Sequence, residues 1–349
     1  MNWRRHTQAL PSLAAAALFV LMFGSGSIAY KGFFSGQVFL NLLVDNAYLQ
    51  VVALGMCFVI LGGGIDLSVG SVVALTTMLL AWGVQSAHLS PWVLVPLLVA
   101  GGAAFGAAMG WVIQRLALPA FIVTLAGMFL ARGLCYLISV DSIAITDPTL
   151  SAWSQARWAV PLLGEVSPGV VVALLTLAAA VWVAHGTSFG RTVYAMGGNE
   201  RSAQLMGLPV ARTRIAVHAI CGGCAALGGV IFGTYTLSGY GLNGLGLELE
   251  AIAAVVIGGA LLTGGVGYVA GTLTGVLLLG VIQTLIIFDG SLSSWWTRIA
   301  IGAMLGLFCI LQRVFELLPR ASPTAPIEPF THLPGLTQPP PPAPRPHRR

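Results

Sequence analysis

The sequence predicts an all-α fold: a polytopic transmembrane helical bundle of about ten spans, some of them broken. Three observations predict it. Of 349 residues, 57% are hydrophobic and only 8% are charged, where soluble domains carry about 25% charged residues. Uncharged apolar runs of about 18 or more residues recur, the length a helix needs to cross a bilayer. The basic residues also fall on alternate sides of those runs, as the positive-inside rule requires. The net charge of +5 therefore reports orientation in a membrane, not contact with nucleic acid.

Taken in order, Arg4-Arg5-His6 precede an apolar run over about 10–30. The arginine pair lacks the rest of a twin-arginine signal and further spans follow, so an uncleaved first helix is expected. Spans are then predicted near 48–62, 66–84, 92–114, 118–139, 168–185, 215–236, 250–264, 268–288 and 295–313. With the N-terminus inside, the inner segments hold Arg4, Arg5, Arg115, Arg191, Arg201, Arg212, Arg214, Arg313 and the terminal arginines. The outer ones hold Lys31, Arg157, Asp141, Asp147, Glu165, Glu248, Glu250 and Asp289. Both chain ends are then cytoplasmic. Eight spans fit instead if the glycine-rich interruption at 62–64 is re-entrant and the short eighth run does not cross. Arg132 and Arg298 fall near outer span ends, where long basic side chains can snorkel.

One stretch organises the chain: Leu61-Gly62-Gly63-Gly64-Ile65-Asp66-Leu67-Ser68-Val69-Gly70-Ser71. Three glycines break a helix, and the side-chain oxygens of Asp66 and Ser68 can restart one by accepting free N–H groups. At membrane depth such a break is tolerated only when buried in protein or lining a wet cavity. Asp66 is either a structural cap or part of a permeation path or gate. Ser68 and Ser71, three apart, share a helix face. A second segment repeats the pattern at a constant offset: Gly264-Gly265-Val266 and Gly271-Thr272 match Gly63-Gly64-Ile65 and Gly70-Ser71, as repeats in transporter halves do.

Small residues recur at helix-contact spacing in Gly102/Gly106/Gly110 and Gly267/Gly271/Gly275. Cys57, Cys135, Cys221, Cys224 and Cys309 lie in apolar runs. The Cys221-Gly-Gly-Cys224 pair has no second Cys/His pair nearby and reads as packing. The outer loop 140–166 carries Trp153, Arg157, Trp158 and Glu165, suited to an interfacial belt or to a partner outside. The inner loop 186–214 contains a short helix that Asn199 can cap and that Gly207 and Pro209 end, a docking surface for a cytoplasmic protein. Residues 1–318 are thus the membrane domain. Residues 319–349, with Pro339–Pro342 and a terminal Arg345-Pro-His-Arg-Arg, read as a disordered cytoplasmic tail.

Four separated stretches resemble the permease subunits of bacterial sugar-uptake ABC transporters of the ribose, xylose and galactoside type. They are Gly63–Gly70, Pro119–Leu125 with Ala131–Leu134, Gly190–Gly207, and Glu248–Gly259. The likeness covers about residues 10–315. The family usually has Asp where this chain has Glu250. The run Gln283–Arg298 looks most like one permease of a galactofuranose importer. The resemblance implies a translocation path or gate at Asp66, Ser68, Ser71, Thr124, Glu248 and Glu250. It also implies an ATPase-coupling loop carrying Arg191, Gly197, Gly198, Asn199, Glu200 and Gly207. Implied partners are an ATP-binding subunit inside, a periplasmic sugar-binding protein outside, a second permease subunit, and the lipid of a bacterial inner membrane.

The chain itself offers no ATP site. A Walker A loop needs a lysine to reach the phosphates, and the only lysine, Lys31, borders the first span. The expectation is a non-enzymatic permease that binds no cofactor and leaves ATP to its partner. The competing class is an ion-coupled secondary transporter with Asp66 as the ion site. An embedded enzyme has less to stand on: His218 is the one histidine well inside a span and has no clustered acid.

Overall fold

The computed structural model describes residues 3–317 except 162 and 294, so the Pro-rich segment lies outside the described residues. Helix α1 covers Trp3–Ala29, α2 Gly36–Asp45, α3 Ala47–Leu61, α4 Val69–Gln85, α5 Pro91–Leu116 and α6 Ala120–Ile138. After the short strand β1 (Ile143–Ala144) come α7 (Pro148–Gln155), β2 (Trp158–Val160) and β3 (Gly164–Val166). Then follow α8 (Pro168–Gly186), α9 (Ser188–Gly198), α10 (Glu200–Leu205) and α11 (Val210–Thr236). The chain closes with β4 (Ser238–Gly239), α12 (Leu247–Ile257), α13 (Gly271–Asp289) and α14 (Trp295–Leu317). A helix stands at each predicted span. Among the described residues only six, or seven counting a bent pair, are long and apolar enough to cross a membrane, with Leu13–Ala29 of α1 and α4 shorter. The protein is a polytopic helical membrane protein.

The spans are not equivalent. Helices α5, α6, α8, α11, α13 and the Trp295–Gln312 part of α14 are each long and apolar enough to cross a membrane. Helices α2 and α3 do so only as a pair bent by 55°. The bend lies at Asn46, whose side-chain amide donates to Leu42 O at 2.9 Å. The predicted third span opens at Val69, not at 66. The predicted eighth span, 250–264, stops at Ile257 because the following glycines unwind it. Its 11 residues rise only about 16 Å, roughly half of a hydrocarbon core of about 30 Å.

Composition sorts these helices into a core and a ring. In α3 every residue except Tyr48 is buried, and a helix apolar on all sides belongs in the middle of a bundle. Helices α8, α11, α12 and α13 pack against it, and α4 packs on α11. The ring helices α5, α6, α8 and α14 turn large apolar groups outward, among them Trp92, Leu130, Trp182 and Ile310.

Glycine makes the tightest joint. Gly102 and Gly106 on α5 abut the backbone of His218 and Gly222 on α11, where no β-carbon would fit. In the second triplet, Gly275 lies against Ala254 of α12 and Gly271 against Gly258 just past its end, as expected for close helix contact. Gly267 does not join them: it sits in the connection before α13 with φ +153°. All five cysteines are free, and Cys221 and Cys224 lie on α11. Outside the bundle, β1 pairs with β4 and β2 with β3, each antiparallel. The Gln37 side chain joins the backbone of Glu165, fastening this cap to α2.

Candidate functional site

Helix α3 ends on the glycine triplet. Gly62, Gly63 and Gly64 donate back to Phe58, Ile60 and Val59 carbonyls at 2.9–3.0 Å. Gly63 takes φ +80°, a conformation that costs little only without a side chain. The chain then runs through Ile65–Ser68 before α4 begins. Asp66 is fully buried. Its Oδ1 accepts from the Ser68 N–H at 2.9 Å and from the Ser68 hydroxyl at 2.6 Å. Ser68, whose carbonyl accepts from Val72 N at 2.9 Å, is the residue that opens the helix. The carboxylate therefore acts on the cap residue from two positions upstream.

Its other oxygen is buried without a hydrogen-bond partner among the described residues. The Cys221 thiol lies beside the carboxyl. Thr124 on α6 braces the same stretch. Its hydroxyl accepts from Leu67 N at 3.2 Å and faces the carbonyls of Ala120 at 3.0 Å and Ile65 at 3.3 Å. Ser71 is buried one turn on, its hydroxyl without a partner among the described residues.

The second break, between Ile257 and Gly271, matches the first in position and differs in what holds it. Leu261 N donates to Val266 O, and Gly264 N to Leu261 O, both at 3.0 Å. The Gln312 amide on α14 donates to Val256 O at 3.0 Å and Ala260 O at 3.2 Å. The Tyr194 hydroxyl on α9 donates to Gly267 O at 2.9 Å. Thr272, the counterpart of Ser71, is likewise buried with an unpartnered hydroxyl. The breaks touch directly: Gly265 N donates to Leu61 O at 2.9 Å.

The inner loop folds into an elbow of two helices. Thr187 caps α9 by accepting from Gly190 N at 3.2 Å, and Asn199 caps α10 by accepting from Ser202 N at 2.8 Å. Gly207 turns the chain with φ +75°. The end of α9 is driven into the junction of the two breaks. A β-carbon on Gly197 would collide with Leu61 O and Gly265 N, whereas one on Gly198 would meet nothing. Glu200 pairs with Arg214 of α11 at 2.5 Å. Arg191, Gly198, Asn199 and Gly207 are exposed, and the loop ends in an apolar tip at Leu205 (83% exposed) and Met206 (67%).

The acidic pair of α12 divides. Glu248 is turned inward: its carboxylate and the Gly244 carbonyl occupy the space a β-carbon on Gly70 would need. Its Oε2 is buried and unpartnered among the described residues. Glu250 is half-buried and does not join the Asp66 cluster. Arg132 does not snorkel. Its guanidinium donates to Gly241 O at 2.6 Å and Asn243 O at 2.9 Å, and Asn243 in turn donates to Thr77 at 3.2 Å. This fastens the loop before α12 to the middle of α4.

Asp66, Ser68 and Thr124 thus come together at one break, Gly197 reaches both breaks, and Glu248 closes on α4. Sequence reading missed Gln312, Tyr194 and the role of Arg132. The one available signal was an arginine and a glutamine inside otherwise apolar runs, where an unneeded polar group is costly.

Residues 38–309 match the family described as branched-chain amino acid transport system, permease component. The inner membrane ABC transporter permease protein YjfF of Escherichia coli (strain K12) is 49% identical over 309 residues, covering 88% of this chain and 93% of the relative. The fructose import permease protein FruG of Bifidobacterium longum is 36% identical over 314 residues, 88% of this chain and 91% of the relative. The ribose import permease protein RbsC of Escherichia coli (strain K12) is 38% identical over 249 residues, 71% and 77% of the two chains. No solved structure matches the chain. With the match spanning nearly the whole helical bundle, the chain belongs to this family of ABC-transporter permease components, membrane subunits that are not themselves enzymes.

Proposed function

We propose that this chain forms the translocation path of an ATP-driven sugar importer in the bacterial inner membrane. The observation that carries the reading is the seat of Gly197. A cytoplasmic elbow that touches both helix breaks with no side chain between them can pass a push from a partner straight to the membrane core. Closely packed elements transmit displacement because interiors are not compressible. The exposed Leu205 and Met206, with the exposed Arg201 and Arg191 on the same elbow, are the surface that an ATP-binding subunit would cover. Sugar as cargo is supported by relatives named for fructose and ribose import. Galactofuranose is the finer reading, supported by the likeness of Gln283–Arg298 to a galactofuranose permease. A periplasmic sugar-binding protein and a second permease chain complete the assembly.

The test is uptake of furanose and pyranose sugars by the reconstituted assembly. Uptake is expected to need ATP, the ATPase subunit and the binding protein. Uptake driven by a proton or sodium gradient with no ATPase present would overturn the reading and favour Asp66 as a coupling ion site.

A further inference from the structure

Between β4 and α12 the chain runs into the bilayer interior without forming a helix. Its depth follows from its contacts. Gln85 ends α4, and its side-chain amide donates to Thr146 of the outer loop at 2.8 Å. Further down the same helix, Thr77 accepts from the Asn243 side chain at 3.2 Å, and Gly70 lies against the Gly244 carbonyl. At a rise of about 1.5 Å per residue these contacts lie about 12 Å and about 22 Å below Gln85, well inside a hydrocarbon core of about 30 Å. Irregular backbone is tolerated at that depth only where protein buries it or water reaches it.

The two sides of this segment differ. One side is held. The Arg132 guanidinium donates to the carbonyls of Gly241 and Asn243, Asn243 is tied to α4, and Glu248 turns its carboxylate to Gly70. The other side is free. Leu242 and Leu245 make no hydrogen bond among the described residues, main chain included. Both are exposed, Leu245 by 56%, and so is Leu249 in the first turn of α12. Lipid cannot pair these main-chain groups, and leaving them unpaired in an apolar setting is costly. A neighbouring membrane helix cannot pair them either, because its own backbone groups bond within the helix. Water and solute hydroxyls can.

We propose that Leu242, Leu245 and Leu249 line the aqueous part of the translocation path. The main-chain N–H and C=O groups of Leu242 and Leu245 meet the hydroxyls of the passing solute, and the leucine side chains meet its C–H faces. The identity of the solute rests on the sugar reading above. Glu248, named from the sequence as a path residue, then braces this wall from behind. A wall of apolar side chains with a few neutral donors and acceptors holds a polyhydroxylated solute weakly enough to release it, as conduction requires.

The test is cysteine accessibility in the whole assembly in proteoliposomes. The probe is a small, charged, membrane-impermeant thiosulfonate, read against the wild type with its five free cysteines. Leu245→Cys is expected to react at least several-fold faster than Leu175→Cys, an exposed apolar position on the ring helix α8. Its reaction sets a charged group in the path and is expected to cut ATP-driven uptake several-fold, with recovery when the new disulfide is reduced. Leu249→Cys gives the same reading should Leu245→Cys fold poorly. Equal reaction of Leu245→Cys and Leu175→Cys overturns the proposal, and so does no reaction of either path variant, because protein or lipid then covers the segment. Reaction without loss of uptake overturns it too. If the wild type takes up no sugar at all, the sugar reading itself fails, while the reaction rates still show whether water reaches the segment.

Discussion

The two helix breaks share an order, a glycine pair and a buried hydroxyl in the first turn of the following helix, yet they are held by opposite means. The first is held from within: Asp66 caps Ser68 two residues on, with Thr124 as an outside brace. The second has glycine where the first has Asp66, and it is held from without by Gln312 of α14 and Tyr194 of α9. A break that carries its own cap keeps its shape when neighbouring helices move. A break held by neighbours follows them. The comparison therefore assigns the first break as the fixed side of the junction and the second as the compliant side, with Gly197 bearing on both.

Removing the internal cap should have the largest effect on stability. Asp66→Leu leaves the Ser68 N–H and hydroxyl buried without their acceptor, at about 1–3 kcal/mol each. The variant is expected to lose most folded protein in detergent thermal-stability assays. Asp66→Asn keeps an acceptor oxygen and is expected to retain much of both fold and uptake. An Asn form as inactive as Leu, with its fold intact, would show that the charge itself matters and not the cap.

Gln312→Leu is the matching change at the second break. It strips the donor from Val256 O and Ala260 O, at about 1–3 kcal/mol in total because carbonyls tolerate under-satisfaction better than buried N–H groups. Its melting temperature should fall less than that of Asp66→Leu. The reverse order would dissolve the distinction between the two breaks.

Thr124→Val should cost about 1 kcal/mol, since the bonds it removes are 3.0–3.3 Å long and one partner, Ala120 O, is already a helix carbonyl. Glu200→Arg should change stability least. Its pair with Arg214 is partly exposed, and such pairs contribute about 0–1 kcal/mol. Its effect should appear instead as weaker association of the ATPase subunit in pull-down, restored in part by adding Arg214→Glu. Association that survives Glu200→Arg would remove this residue from the docking surface.

How much of this was legible depends on whether the cause was local. The glycine triplet, the Asp66 cap, the Asn199 cap and the Gly207 turn are set by residues within a few positions of one another, and reading along the chain found each. The short α12 was visible as a weak span, but its early end at Ile257 reflects how far the glycines unwind. Contacts between distant segments left little trace. Nothing in the neighbourhood of Gln312 or Arg132 says which carbonyls they will serve, and nothing near Glu248 says that it folds inward onto Gly70. Gly197 was expected in a docking loop. That it touches the membrane core while its neighbour Gly198 faces open space is a property of packing alone.

That difference supplies the most direct measurement: sugar taken up per ATP hydrolysed by the reconstituted assembly carrying Gly197→Ala or Gly198→Ala. If the elbow drives both breaks through Gly197, an added methyl there displaces the junction. Gly197→Ala should then still bind the ATPase subunit and hydrolyse ATP while its uptake per ATP falls at least several-fold, with Gly198→Ala close to wild type. Equal uptake per ATP in all three proteins, with Gly197→Ala folded and assembled, would contradict the account.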